Sequence, residues 1–289
     1  MTAMGKLFHA DRLVPVWLDA SRHLDARKDY GRTDRNLMLE IAAPEILDPL
    51  DLQVFNQVDA VLRKYSNGLN VKTVAATIFP VALYKRHGRE GMYREYVNIM
   101  KRAAVRNTWG TYAMRMMAWP TGTGKHINQL ETTIVKLDRA AHGGHPYQSA
   151  FEVGIVAPDV DAGLCETADL DLSAVSPVCE IATFHAATDG RKISNMPCLS
   201  HLSFKLTNRE AVDLTAIYRS HHYAARALGN LLGLSQLLGF VAREAKLKVG
   251  TLTCISTHAE LDLNSWGGAT KGSTLLNSLP AYREGAQQS

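Results

Sequence analysis

Cysteine is scarce in this chain, and its spacing excludes one common use of the residue. The four cysteines form no Cys-x-x-Cys pair, and no spacing of cysteine and histidine is typical of a zinc site. The sequence therefore predicts no metal centre. We expect the thiols to be reduced, as in a cytoplasmic protein.

Long apolar runs and an excess of one charge are also lacking. Residues 1–13 contain no apolar region of the signal-peptide type. The most apolar stretch, 227–242, is interrupted by the polar residues Asn230, Ser235 and Gln236. Lysine and arginine total 32 against 28 acidic residues, a net charge of +4 with no dense basic block. We therefore expect neither a membrane nor a nucleic-acid polymer as a partner.

The remaining composition is that of an ordinary soluble globular protein. Apolar residues make up 46% of the 289 residues, and charged residues make up 21%. A chain of this length can bury a substantial core, either as one large domain or as two small ones.

Cys198 stands at a rigid approach to a predicted strand. Pro197 fixes the backbone before it, and residues 199–206 alternate imperfectly between apolar and polar, as in a partly buried strand. A thiol at such a position is a candidate nucleophile if a nearby cation lowers its pKa. The alternative is that Cys198 is a small buried apolar residue, which is the commoner role of a lone cysteine.

Cys198 belongs to an ordered set of motifs placed at the ends of predicted strands and the starts of predicted helices. The other members are Arg219-Ser220 after the strand 211–218, Asn230 near the start of the helix 231–245, Thr257-His258 after the strand 250–256 and, upstream, Ala118-Trp119-Pro120 followed by Lys125-His126-Ile127-Asn128-Gln129-Leu130. With Pro197-Cys198, this order resembles the thymidylate synthase and deoxycytidylate hydroxymethylase family. The matches extend over about half of the chain.

The resemblance implies an architecture. We expect an α/β (α+β) fold of the thymidylate synthase type, in which a twisted mixed sheet carries Cys198 and Arg219 and helices pack against it. The predicted domain covers residues 1–268, and residues 269–289 are predicted to be a partly disordered tail. By the same resemblance the protein forms a two-fold homodimer through its sheet face.

The resemblance also gives each motif a role. A pyrimidine C5 is a poor nucleophile, and addition of the Cys198 thiolate at C6 makes C5 reactive toward a one-carbon electrophile. Arg219 is the cation that would lower the pKa of the thiol and, with Ser220, bind the nucleotide phosphate. The Asn230 carboxamide would pair with the edge of a uracil ring, and His258 would bind a sugar hydroxyl. Asn230 as a helix N-cap and His258 as a core histidine are the alternatives.

Two further positions stay open. Tyr112 supplies a phenol that would help to remove the proton from C5, although Trp109 occupies the place of the family's tyrosine. The alternative for Tyr112 is an aromatic ring packed on the next helix. The early phosphate-binding loop offers Arg32 and Arg35, which fit equally well, and the alternative there is a solvated basic turn.

The implied substrate is a pyrimidine nucleoside monophosphate, ribose or deoxyribose, and the implied one-carbon donor is 5,10-methylenetetrahydrofolate. Three departures from the family concern the folate side and the partner's phosphate clamp: no acidic residue occurs in 71–87, no Arg-Arg pair follows the helix 126–141, and Arg226 replaces a glycine. Two functions follow. The first is a C5 methyl- or hydroxymethyltransferase, and the second is an altered homologue that binds a nucleotide or a protein without turnover.

Overall fold

The computed structural model describes residues 5–102, 110–120, 125–143, 180–183 and 197–282. In chain order the strands and helices are β1 (Leu7–Ala10), α1 (Leu13–Ala26), β2 (Thr33–Ile41), α2 (Pro49–Tyr65), α3 (Val71–Ile78), α4 (Val81–Arg102), α5 (Tyr112–Met117), β3 (Trp119–Pro120), β4 (His126–Ile127), α6 (Gln129–His142), β5 (Glu180–Ala182), β6 (Leu199–Thr207), β7 (Ala211–Tyr218), β8 (His221–His222), α7 (Leu228–Glu244), β9 (Lys248–Glu260) and α8 (Ala269–Ser278).

One mixed sheet organises the described chain. Its strand order is β1-β2-β9-β7-β6-β5, and β8 adds to β9 off this path. The pairs β1–β2, β7–β9 and β8–β9 are parallel, whereas β2–β9, β6–β7 and β5–β6 are antiparallel. The predicted α/β class, with a mixed sheet and packed helices, is confirmed.

The two strands β6 and β7, which follow Cys198 and precede Arg219, agree closely with the sequence pattern. Residues 199–206 were expected in a strand, and β6 extends one residue further. In β7 the buried residues Val212, Leu214, Ala216 and Tyr218 alternate with half-buried ones. Because side chains alternate between the faces of a strand, one face of the sheet is covered by packing and the other is partly open.

Helix α7 is the central helix of the core. It continues from a π-helical turn, Tyr223–Ala227, and most of its side chains are buried. Residues Tyr223–Glu244 have the length and composition of a membrane span, but 78% of the most apolar window is buried inside the protein, as in the core helix of a globular domain.

Asn230 does not cap this helix. It lies in the third position of α7, after the π-helical turn, so its backbone is already helical. The orphan N–H groups at the start of the turn are instead satisfied by Asp262, whose carboxylate accepts from Ala224 N at 2.9 Å and Ala225 N at 3.3 Å. The N-cap interpretation of Asn230 is therefore wrong, and its amide is available for another role.

Proline and asparagine define two other helix boundaries. Helix α3 ends at Ile78 and α4 begins at Val81, so the chain breaks between the two helices at Pro80. Helix α6 begins at Gln129, because His126–Ile127 pair with Trp119–Pro120 and the Asn128 side chain caps the helix.

The predicted tail contains a helix. Helix α8 begins at Ala269 and buries Leu276, and the segment after it buries Leu279. Tyr282 donates to Asp51 Oδ1 at 2.7 Å, which holds the chain beyond α8 against α2. The Gly- and Ser-rich composition was misleading because two leucines suffice to anchor this short helix.

Candidate active site

Cys198 lies directly before β6 and is half-buried. Two hydrogen bonds tie the backbone of Pro197 and Cys198 to Arg219, directly after β7. Arg219 N donates to Cys198 O at 2.8 Å, and Arg219 Nη2 donates to Pro197 O at 2.5 Å. The sequence prediction placed a cation next to this thiol, and the structure brings Arg219 there through the pairing of β6 with β7.

The Tyr112 phenol contacts the same turn. Its oxygen accepts from Cys198 N at 3.0 Å and from Leu199 N at 3.1 Å. The tyrosine comes from the start of α5, whose N-terminus is capped by Thr111. Burial raises the pKa of Tyr112 to about 12, against the opposing effect of the two N–H donors. The phenol is therefore protonated at neutral pH in this state.

Three influences set the acidity of Cys198. Burial raises the pKa of the thiol above its usual range, while the positive charges of Arg219 and Arg226 lower it. Arg219 acts in the predicted direction, but burial is the larger influence. The pKa of the Cys198 thiol therefore lies above its usual range in the unliganded protein, although Arg219 lowers it.

Arg226 is a second cation at the site that the sequence interpretation did not use. It lies in the π-helical turn, its side chain is exposed, and its charge acts on both Cys198 and Tyr112. A cavity of about 590 Å³ beside it is lined by Ser66, Asn67, Gly68, Leu69, Thr73, Ala225, Arg226 and Ser265. The one sequence signal for this role was the arginine in place of a glycine.

Removal of the Arg226 charge should make the thiol less reactive. Thiolate, not thiol, is alkylated by iodoacetamide, so the rate rises as pH rises through the pKa of Cys198. In Arg226→Ala one of the two lowering charges is lost, which moves this rise to higher pH. We expect alkylation of Cys198 at pH 8 to slow by about two- to fivefold, the range for an exposed charge. Peptide mass spectrometry after timed labelling measures the rate of Cys198 alkylation.

Arg226→Lys is the matched control, because it keeps the charge and should retain most of the wild-type rate. Added salt should shrink the effect of Arg226→Ala, since the guanidinium is exposed to solvent. An unchanged pH profile in Arg226→Ala would show that Arg226 does not act on this thiol.

Four predicted residues line up across one end of the sheet. Leu199, next to Cys198, pairs with Tyr218, and Tyr218 pairs with Ser256. Two residues after Ser256, His258 pairs with Arg35. The row crosses four strands, which is about 14 Å at the usual strand spacing. The pairing therefore brings the cysteine turn, the Arg219 turn, His258 and Arg35 to the same sheet end.

The structure separates the two candidate arginines of the early loop. Arg32 Nε donates to Asp25 Oδ1 at 2.8 Å, so it is engaged in an ion pair. Arg35 is exposed, lies beside His258 and forms no ion pair with a described residue. Of the two, Arg35 is better placed for a phosphate. Ser220 follows Arg219 and is half-buried.

Asn230 belongs to a buried polar network at the same sheet end. Its Nδ2 lies 3.0 Å from His221 Nε2, and His221 Nδ1 lies 3.0 Å from Ser256 Oγ. Tyr223 Oη is 3.3 Å from the same serine oxygen. The His221 ring stacks on Tyr218 with centroids 4.0 Å apart and planes 4° apart. No sequence motif pointed to a role for His221.

The Tyr218 hydroxyl is a buried polar group without a hydrogen-bond partner among the described residues. A buried unpaired hydroxyl typically costs about 1–3 kcal/mol. We therefore expect Tyr218→Phe, which keeps the stacked ring, to unfold at a urea concentration at least as high as the wild type. Tyr223→Phe is the matched control and should lose about 1 kcal/mol, because its hydroxyl bonds Ser256. Equal losses in both variants would contradict this account of Tyr218.

The described residues contain no group of three or more histidine, cysteine, aspartate or glutamate side chains that could hold a metal ion. Trp109, which occupies the place of the family's tyrosine, lies outside the described residues. The described residues thus bring together the Cys198 thiol, the charges of Arg219 and Arg226, and the Tyr112 phenol, which is hydrogen-bonded to the cysteine turn. They also include the Asn230 amide, which is hydrogen-bonded to His221.

Similar proteins are found among methanogenic archaea. Over 75 residues the chain is 37% identical to a protein of Methanococcoides burtonii named "Putative thymidylate synthase". These 75 residues are 26% of this chain and 34% of the relative. Proteins of the same name from Methanosarcina barkeri and Methanosarcina mazei are 36% and 35% identical over the same length. The match spans about a third of each relative. No family model matches the chain. These similarities establish a distant thymidylate synthase-like relationship over part of the chain.

Proposed function

We propose that this protein is a pyrimidine nucleotide C5 one-carbon transferase with a thymidylate synthase-like fold. The observation that carries the proposal is the geometry of the cysteine turn. Cys198 is joined through its backbone to Arg219 and to the phenol of Tyr112. Partial sequence similarity to proteins named thymidylate synthase supports the same reaction class.

The proposed role of each residue follows from its position. Cys198 adds to C6 of the pyrimidine, and the bond electrons move to make C5 nucleophilic. Arg219 stabilises the thiolate and contributes to the phosphate site. Tyr112, protonated and bonded to the cysteine turn, is placed for proton transfer during the same step. A bound nucleotide phosphate would itself be drawn to Arg219, Ser220 and Arg35 at this sheet end.

The remaining ligand contacts are proposed for Asn230 and His258. Asn230 would read the base, because its carboxamide carries one donor group and one acceptor. His258 lies beside Arg35 on the neighbouring strand, where a sugar hydroxyl and a phosphate of one nucleotide can be bound together. We also propose a homodimer formed through the partly open face of the sheet.

The residues fit a folate only in part. The cavity beside Arg226 is lined by hydroxyl and amide groups, with Arg226 as the charged member, and suits an anionic polar group such as a glutamate tail. Helix α3 brings no carboxylate to this region, and no acidic residue is among the described residues that line the cavity. We derive no step through 5,10-methylenetetrahydrofolate, and the methyl or hydroxymethyl product depends on the donor.

A non-catalytic nucleotide-binding homologue is the second candidate. The observation that favours it is the raised pKa of the Cys198 thiol. Incubation with a 5-bromo uridylate and an excess of a small thiol separates the two functions, because adduct formation at C6 activates the C–Br bond. A protein that binds the nucleotide and releases bromide is an enzyme of the proposed type. One that binds it and releases none is the altered homologue.

A further inference from the structure

His221 is a buried histidine whose every side is occupied. Its exposure is 1%. One face of the ring stacks on Tyr218, and Tyr223 contacts it at 5.2 Å with planes 60° apart. In the ring plane, Nδ1 meets Ser256 Oγ and Nε2 meets Asn230 Nδ2, each at 3.0 Å. These contacts fix both the position and the plane of the His221 ring. A histidine that only fills space in the core does not need so many directional contacts.

The partner of Nε2 fixes how the proton is placed on the ring. An amide nitrogen only donates hydrogen bonds, so Nε2 accepts from Asn230 Nδ2 and is unprotonated. Burial lowers the pKa of His221 to about 3, so the ring is neutral at any working pH. A neutral imidazole carries one N–H, which then lies on Nδ1 and donates to Ser256 Oγ. Tyr223 adds a second hydroxyl to the same serine.

The same bond fixes the Asn230 carboxamide. With Nδ2 bound to His221, Oδ1 lies on the other branch of the planar amide, away from the ring. Turning the amide over would place Oδ1 against an unprotonated Nε2, where two acceptors would face each other. Reversal requires the ring proton to move to Nε2 and Ser256 to become the donor. The tautomer of His221 and the orientation of Asn230 are thus one coupled choice.

Orientation matters because an amide that can flip reads two bases. Uracil presents an N3–H donor where cytosine presents an N3 acceptor. An amide that directs its oxygen toward the base accepts from uracil N3–H and meets cytosine N3 acceptor to acceptor. We propose that His221 is a positioning residue that holds Asn230 with Oδ1 available to the base and thereby selects uracil over cytosine. This inference rests on the proposed nucleotide site and names its base.

The first test uses the unmodified protein. Long-range nitrogen–proton NMR spectra of ¹⁵N-histidine-labelled protein identify the tautomer of each neutral ring. We expect His221, assigned by its absence in a His221→Gln sample, to carry its proton on Nδ1. A proton on Nε2 would overturn the proposal, since the amide would then present its nitrogen to the base. This result does not depend on turnover.

The second test measures base selectivity. Calorimetry gives the dissociation constants of deoxyuridylate and deoxycytidylate, with the ribonucleotides as further arms. For the wild type we expect uracil to bind more tightly by about tenfold to a hundredfold, the range for a mismatched buried hydrogen bond. In His221→Phe, which keeps an aromatic ring against Tyr218, the uracil-to-cytosine ratio should fall toward one. In His222→Phe, at the neighbouring half-buried position, the ratio should be unchanged.

A double-mutant cycle separates positioning from general damage. In an Asn230→Ala background, His221→Phe should not change the ratio further, because the group it orients is gone. If His221→Phe weakens both bases equally, the histidine is only structural and the proposal fails. If His221→Phe does not fold, His221→Leu, which also lacks an acceptor for Asn230 Nδ2, replaces it, and an unaltered ratio there counts against the proposal in the same way. If the wild type binds neither nucleotide, the proposed function itself is wrong. If it binds the uracil and cytosine nucleotides equally, only the proposed base selection is wrong.

Discussion

Cys198→Ala should release no measurable bromide from 5-bromo-deoxyuridylate, whereas the wild type should release it steadily in the presence of a small thiol. The reaction needs the cysteine because addition at C6 must precede removal of bromine at C5. A second thiol then takes the bromine, so one bromonucleotide and two small-thiol molecules give the nucleotide, a disulfide, bromide and a proton. Loss of the nucleophile should lower the rate by about a thousandfold or more. Bromide release and the nucleotide product are both measurable by chromatography.

The matched control is Cys254→Ala in β9. Cys254 is fully buried, and burial raises the pKa of its thiol to about 12, so it contributes no thiolate at neutral pH. Its removal should leave the rate nearly unchanged. The one-carbon donor takes no part in this half-reaction, which makes the result independent of the altered folate side. Binding of 5-bromo nucleotides of both bases and both sugars without any bromide release would refute covalent catalysis by Cys198.

Strand periodicity in the sequence predicted β6 and β7. The alternation in 199–206 and 211–218 is a local property of the chain, and both strands occur with those residues. The resemblance implied that one sheet carries Cys198 and Arg219. The structure shows them at the same sheet end, because an antiparallel pair joined by a short turn brings the start of one strand beside the end of the next. The order of strands in the sheet is not local, and the pairing of β9 with β2 and β7 came from the structure alone.

Most features of the site that the sequence could not predict depend on burial and on contacts between distant residues. The sequence paired a cysteine with an arginine but contained no measure of desolvation, which reverses the net shift of the Cys198 pKa. No sequence motif pointed to a role for His221, and only its distances to Asn230 and Ser256 indicate one. Arg226 lies in a π-helical turn, and only the structure shows that its charge acts on the thiol. Charge and motif are visible in a sequence, whereas contacts across strands are not.

The close approach of α3 and α7 places Asn230 and depends on two glycines. Asn230 lies between Gly229 and Gly233 on α7. A Cβ on Gly233 would stand 2.7 Å from Ala75 O, 2.9 Å from Ile78 Cβ and 3.1 Å from Ala75 Cα. Two of these atoms are backbone and cannot move aside without shifting α3. The glycines therefore set the separation of the two helices at the level of the proposed base-reading amide.

Gly233→Ala should destabilise the protein and weaken nucleotide binding together. Overpacking typically costs about 1–3 kcal/mol, and the gain of about 1 kcal/mol for alanine over glycine in a helix offsets part of it. We expect a net loss of about 2 kcal/mol in the free energy of unfolding, because the clash is with backbone. Urea denaturation with an unchanged m-value measures the loss. Calorimetry of deoxyuridylate binding to the folded fraction measures the displacement of Asn230.

Gly239→Ala on the same helix is the matched control. A Cβ there meets only the side chain of Glu45, whose flexible carboxylate end can turn away. With no backbone in the way, the helix propensity of alanine should dominate, so we expect a stability equal to the wild type or higher by up to about 1 kcal/mol. Because both variants make the same chemical change in one helix, their difference isolates the contact with α3. If Gly233→Ala is as stable as Gly239→Ala, α3 and α7 do not approach closely at Gly233. The described placement of Asn230 beside His221 would then be wrong.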